Sequence, residues 1–186
     1  MFVGGRGYIN FGTQFTYYYS LTNLKSTGTL KVDGKPFAVM GVSWLDHQWG
    51  DWSWAGAKGW TWMALQLGNG TQLSLFDVRA FGAPILFASV LGKSGKTRTV
   101  PGVTIKSTGS WHSPHTGATY PSGWIVNIPA LRATLQVSPT VKDQELIAQN
   151  QPQGSYWEGS GRVTGRYGGK AITGLSYTEL TGYAGQ

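Results

Sequence analysis

The sequence contains no cysteine, little charge and no long apolar run. Without cysteine the chain has neither disulfides nor thiolate sites, and its cellular compartment stays open. No apolar stretch approaches ~18 residues, so no membrane-spanning segment is expected, and the opening MFVGGRGYINFG lacks the regions of a signal peptide. Only 12% of the residues are charged, whereas 13% are aromatic and 28 of 186 are glycine. This composition excludes disorder and predicts a single globular domain spanning residues 1–186 with many tight turns.

The net charge of +7 does not indicate a nucleic-acid partner. The basic residues are spread along the chain, and the densest group (Lys93, Lys96 and Arg98) lies in a predicted turn, where it serves solubility.

Short runs rich in β-branched and aromatic residues alternate with turn signals such as Asp33-Gly34 and Asn69-Gly70. No segment has a convincing helical period. The pattern predicts an all-β protein, either an antiparallel sandwich or an antiparallel β-barrel of about 8–10 strands. A barrel of this size can enclose a small ligand.

Residues 41–80 concentrate six of the nine tryptophans beside histidine and carboxylates. If Asn69-Gly70 forms a two-residue turn, Trp62 pairs with Asp77 and Trp60 pairs with Arg79. One face then carries both indoles together with Leu75, Asp77 and Arg79. Turned inward, Asp77 would have its pKa raised by burial and lowered by Arg79. An Asp77–Arg79 ion pair at the barrel mouth is the structural alternative.

The preceding strand, GVSWLDHQWG, places His47 and Trp49 on one side and Trp44 and Asp46 on the other. His47 is a candidate for proton transfer because its ordinary pKa lies near neutrality. The alternative is a packed histidine hydrogen-bonded to a neighbour. Asp46 could orient His47 only across a bulge, since adjacent side chains on a strand point apart.

Metal and cofactor sites are not expected. His112 and His115 in WHSPHTG lack a clear third ligand, no G-x-S-x-G elbow occurs, and no glycine-rich loop precedes a helix.

Several motifs occur in a characteristic order: GVSWLDHQWG, GWTWMALQLGNGTQLSLFDVRAFG, WHSPHTGATYPSGWIVNIPA, DQEL, YWEG and SYTELTGY. With them, the chain from Tyr17 to Tyr183 resembles the carotenoid 1,2-hydratase (hydroxyneurosporene synthase) and AttH-like family. Members of that family typically have two lipocalin-like barrels in tandem, and this chain resembles the second. The resemblance implies a lipocalin-like barrel around an apolar cavity. It also implies hydratase activity on acyclic carotenoids or aromatic isoprenoids, or pericyclase activity.

Carried over by motif, the hydratase site of the family falls on His47 and Trp49 of DHQW and on Asp77 of LFDVR. Leu75 stands where the hydratases carry a tyrosine. Glu158 of YWEG and Glu179 of YTEL are alternative acids.

The leading hypothesis is acid-catalysed hydration of a C=C bond in a hydrophobic isoprenoid or polyene. Asp77 would protonate the alkene, His47 would orient or deprotonate water, and indoles would stabilise the cation. The expected substrate-binding residues are Trp49, Trp60, Trp62, Leu75, Arg79 and Glu158. A non-catalytic carrier of terpenoids or lipids and a [4+2] cyclase are the alternatives. The expected partners are a hydrophobic small molecule and either a second copy or a companion barrel.

Overall fold

The computed structural model describes residues 1–53, 57–80, 85–148 and 154–184, and nothing is said of the Phe11 and Ala80 side chains. A 3₁₀ turn spans Pro129–Leu131. None of the described helices is long and apolar enough to cross a membrane. The described strands are β1 (Tyr8–Phe11), β2 (Gln14–Val32), β3 (Lys35–Asp51), β4 (Ala57–Leu67), β5 (Gln72–Ala80), β6 (Ile85–Leu91), β7 (Thr97–Val100), β8 (Thr104–Ser107), β9 (Ser110–His112), β10 (Thr119–Pro121), β11 (Trp124–Ile128), β12 (Ala133–Pro139), β13 (Glu145–Leu146), β14 (Tyr156–Tyr167) and β15 (Lys170–Leu180).

Ten strands form one antiparallel sheet that curls as a half-barrel. Its order is β7-β6-β5-β4-β15-β14-β12-β11-β8, with β13 added to β14. The prediction of an all-β antiparallel fold is confirmed, and the strand number of this sheet lies within the expected range. β9 and β10 form a separate hairpin, and β1, β2 and β3 form a second sheet.

One face of the curled sheet is packed solid. On β4, Met63 and Leu65 are fully buried, and they join a cluster that draws side chains from strands along the whole sheet, including Leu135 and Leu180. Burying this apolar surface contributes roughly 25 cal/mol per Å² to stability. This face of the sheet is therefore the hydrophobic core.

The β4–β5 hairpin does not have the predicted register. The loop contains three residues, because the Leu67 N–H donates to the Thr71 carbonyl (2.9 Å) and the Gly70 N–H donates to the Leu67 carbonyl (2.8 Å). Gly70 has φ +84°, as the bulge position of such a loop requires. Since one residue of slip exchanges the faces of a strand, every β5 side chain lies on the face opposite to the one predicted.

The second sheet is dominated by the β2–β3 ribbon. Its tip is the predicted Asp33-Gly34 turn, with positive φ at both residues. The inner part packs on the large sheet, where the Gln66 amide donates to the Thr22 carbonyl (2.7 Å). The outer part, residues 24–43, is exposed almost throughout.

Glu145 of β13 fastens the turn that joins β9 to β10. Its carboxylate accepts hydrogen bonds from Thr116 Oγ1 (2.6 Å), from the Tyr120 hydroxyl (2.7 Å) and from Ser113. His115 in the same turn bonds Asp143 at 3.0 Å.

Candidate active site

A cavity of about 1340 Å³ lies between the large sheet and the inner part of the ribbon. Its sheet wall is formed by alternate residues of β4, β5, β6, β14 and β15, on the face opposite the core. The hollow therefore lies on the side of the sheet opposite the core cluster. The ribbon covers it.

The sheet wall is aromatic. Trp60 (9% exposed) and Trp62 (6% exposed) are buried there, and the Trp62 indole N–H donates to Ser74 Oγ at 3.2 Å. Phe76 and Phe87 extend this surface, with their rings stacked at 5.4 Å. Such a wall suits a large apolar or unsaturated guest.

The ribbon wall presents a carboxylate held by two aromatic side chains. Asp46 accepts hydrogen bonds from the Tyr18 hydroxyl and from the Trp44 indole N–H, each at 2.7 Å. Tyr18 packs edge-on against Phe76 (5.7 Å between centroids), and Trp44 packs edge-on against Trp62 (6.2 Å). These contacts fix the Asp46 carboxylate relative to the sheet wall.

Two further carboxyl groups, Glu158 and Glu179, line the sheet wall. They sit directly opposite each other on β14 and β15, and Glu179 is also paired with Trp62 of β4. Burial, followed by the negative charge of Glu158, raises the pKa of Glu179 to about 7, against a hydrogen bond from Trp60 that lowers it. Burial also raises the pKa of Glu158. Glu179 therefore keeps its proton in a good fraction of molecules near neutral pH.

Asp46 is both enclosed and reachable by water. Burial raises the pKa of the Asp46 carboxyl group, while the hydrogen bonds from Tyr18 and Trp44 lower it. Its surface is nonetheless exposed, because the carboxylate opens into a cavity wide enough for water.

Four of the residues predicted from sequence lie on the cavity wall: Trp60, Trp62, Glu158 and the alternative acid Glu179. Leu75 and Asp77 do not, because of the register error. Leu75 is fully buried in the core, and Asp77 is paired with Thr61 rather than with Trp62.

Arg79 is also placed elsewhere. It is paired with Gly59, and its guanidinium donates to the Tyr183 hydroxyl at 2.9 Å and lies 4.4 Å from the Tyr183 ring centre. Its contacts tie the end of the chain to β5.

His47 and Trp49 lie on the side of the ribbon that faces away from the cavity. The His47 ring bonds the Tyr19 hydroxyl at 3.2 Å, and Trp49 stacks on Tyr17 at 5.4 Å between centroids. The period of two predicted for this strand is correct. The period of two does not determine which side of the strand faces the cavity. The side that does so carries Trp44 and Asp46.

A usable signal for the acid pair was present in the sequence. Gly168-Gly169 forms a two-residue turn with positive φ at both positions, and Tyr167 pairs with Lys170. Counting outward from that turn places Glu158 opposite Glu179. No comparable signal predicts that Asp46 and Tyr18 face the cavity, because the β2–β3 ribbon belongs to a separate sheet and has no hydrogen-bonded register with the large sheet.

Sequence comparison relates residues 1–183 to the AttH-like family, whose sequence model matches them. The chain is 26% identical to the dehydratase asqC of Emericella nidulans over 95% of this chain and 53% of that protein. It is 25% identical to the kievitone hydratase of Fusarium solani subsp. phaseoli over 95% of this chain and 52% of that protein. The chain thus spans about half the length of these relatives.

Two crystal structures have the same fold. A protein assigned as AttH from Nitrosomonas europaea superposes with a TM-score of 0.85 at 32% identity, covering 99% of this chain and 58% of its own. Kievitone hydratase from Nectria haematococca superposes with a TM-score of 0.84 at 24% identity, covering 97% of this chain and 57% of its own. The architecture is therefore of the lipocalin-like type.

Proposed function

Because the chain belongs to the AttH-like family, we propose that it is an enzyme of the hydratase–dehydratase type, adding water to a C=C bond or removing it. The names of two relatives, a dehydratase and a hydratase, support this reaction class. The substrate is a hydrophobic, unsaturated molecule of isoprenoid or polyene type, which the aromatic cavity is built to surround.

The observation that carries the proposal is the carboxyl pair on the sheet wall. Protonation of an unactivated alkene needs an acid that is neutral at working pH yet placed against the substrate. Glu179 meets both conditions: its pKa is raised to about 7, and it is paired with Trp62 on the wall of the cavity. Glu158, paired with Glu179 on the neighbouring strand, contributes the negative charge that favours the protonated form of Glu179.

The indoles account for the next stage. Protonation of a trisubstituted alkene leaves a tertiary carbon cation, and aromatic faces stabilise a cation by ~0.5–2 kcal/mol each. Trp60 and Trp62 are buried beside Glu179, so the cation forms next to them.

The test is turnover of 4-(3-methylbut-2-enyl)phenol, a small alkene that gives a tertiary cation, with the hydrated product measured by mass spectrometry. Glu179→Gln should lower the rate at least about a hundredfold, the usual contribution of general acid catalysis, while binding measured by tryptophan fluorescence persists. Asp77→Asn is the matched variant, because it removes the acid that the family motif implies. Full turnover by Glu179→Gln with loss in Asp77→Asn would refute the assignment.

A carrier of apolar ligands is the second candidate, favoured by the aromatic lining alone. A wild-type protein that binds the alkene but forms no hydrated product at any pH would establish that reading instead.

A further inference from the structure

The ribbon wall carries a carboxylate that the acid step does not use. Asp46 lines the same cavity as Glu179 but belongs to a different sheet, so the two groups approach a bound molecule from opposite walls. They are near enough that the charge of Asp46 acts on Glu179.

The surroundings of Asp46 are those of a proton acceptor. Its two oxygens accept from Tyr18 and Trp44, at 2.7 Å each, and such donors stabilise the charged form. The fully buried Ser20 hydroxyl, paired with Asp46 in the register, has no partner within hydrogen-bond geometry, but it lies close enough to lower the pKa of that carboxyl. Tyr18 and Glu179 are titratable groups near Asp46. Water reaches the carboxylate because it is exposed to the cavity.

Resting on the proposed function, we propose that Asp46 is a second catalytic group, which takes the proton that water loses as it adds to the substrate cation. The Glu179 O–H bond breaks and the alkene electron pair forms a C–H bond, leaving the cation. The water oxygen then forms the C–O bond, and one of its protons passes to an Asp46 oxygen. The alcohol leaves with Glu179 ionised and Asp46 protonated, and solvent in the cavity returns the proton. Dehydration runs the same steps backwards.

The division between walls has a reason in the packing. Tyr18 and Trp44 hold Asp46, and both also press on the aromatic sheet wall that faces the cation. A negative charge fixed there stabilises the cation as well as receiving the proton, as expected of a preorganised site.

A binding experiment tests this without turnover. The probe is 4-(2-dimethylaminoethyl)phenol, whose ammonium nitrogen carries its positive charge at the position of the tertiary carbon cation formed from the alkene above. Its neutral counterpart is 4-(3-methylbutyl)phenol. Asp46→Asn should weaken binding of the ammonium probe by at least about tenfold, the loss expected for one charged contact, and leave binding of the neutral probe unchanged. Asp33→Asn, at the exposed tip of the same ribbon, is the matched control, since asparagine tolerates its positive φ.

Turnover completes the test. Asp46→Asn should lose alkene hydration while Asp33→Asn keeps it, and Tyr18→Phe, which removes one donor but keeps the carboxylate, should lose part of it. If Asp46→Asn fails to fold by circular dichroism, Tyr18→Phe decides: ammonium binding and turnover equal to wild type would overturn the inference. Wild-type turnover that survives in Asp46→Asn but not in Glu179→Gln also overturns it and leaves the proposed function standing. No turnover by the wild type refutes the proposed function itself.

Discussion

Leu75 and Phe76 are neighbours on β5 that face opposite sides of the sheet, and alanine substitution of each distinguishes core from cavity. Leu75 is fully buried, paired with Met63 on one side and Ala88 on the other. Removing its side chain leaves a void that this packing cannot fill. The expected loss is about 2–5 kcal/mol in the free energy of unfolding, or roughly 10 °C in Tm for a chain of this size.

Phe76 is half-buried and borders the cavity, where water can replace the lost ring. Phe76→Ala should cost only about 1–2 kcal/mol in unfolding free energy. It should instead weaken binding of 4-(3-methylbut-2-enyl)phenol, because the ring stacks with Phe87 on the cavity wall.

Urea unfolding followed by tryptophan fluorescence gives the first quantity, and fluorescence titration gives the second. If Leu75→Ala left the unfolding free energy unchanged but weakened ligand binding, and Phe76→Ala did the reverse, then Leu75 would face the cavity and Phe76 the core, which would refute the register described for β5. The two-residue turn would then be correct, and Asp77 would return to the cavity.

Four other predictions concern the carboxyl groups. Activity should fall as the pH rises through about 7, because Glu179 must be protonated; a rate that is flat from about pH 5 to 8 would exclude it as the acid. Because the folded protein holds the Glu179 proton more tightly than the unfolded chain, protonation of Glu179 stabilises the fold. This stabilisation is fully present below the ordinary pKa of 4.5 and is lost as the pH rises through about 7. Glu179→Gln should therefore flatten the decline of the unfolding free energy between those two pH values, as measured by urea unfolding. Glu158→Gln should move the activity limb to lower pH by removing a charge that raises the pKa of Glu179; an unmoved limb would show that the two do not interact. Glu145→Ala should lower the unfolding free energy by about 1–3 kcal/mol, since Tyr120 and Thr116 lose their acceptor, and unchanged urea unfolding would contradict that role.

Local signals in the sequence were enough for the strands and for one turn geometry. The alternation of β-branched runs and turn residues predicted the antiparallel sheet, and Asp33-Gly34 is the expected two-residue turn. Asn69-Gly70 misled because the same dipeptide also ends a three-residue loop. There Asn69 Oδ1 accepts from the Thr71 N–H (3.0 Å), which stabilises the longer form.

The site itself was only partly accessible. Trp60 and Trp62 were identified because they stand out in composition and lie on β4, whose face does not depend on the turn. The side of β3 that meets the cavity could not be predicted, since a period of two defines two faces without saying which is covered. His47 and Trp49 were favoured over Asp46 because the family motif DHQW falls on them.

The odd-numbered and even-numbered residues of β4 lie on opposite faces of the sheet. Met63 and Leu65 pack in the hydrophobic core, while Trp62 and Ala64 line the cavity, so neighbouring residues of one strand meet different physical requirements. Substitutions at the even positions change the lining of the cavity while the odd positions keep the core constant, so the cavity can be reshaped without loss of the fold.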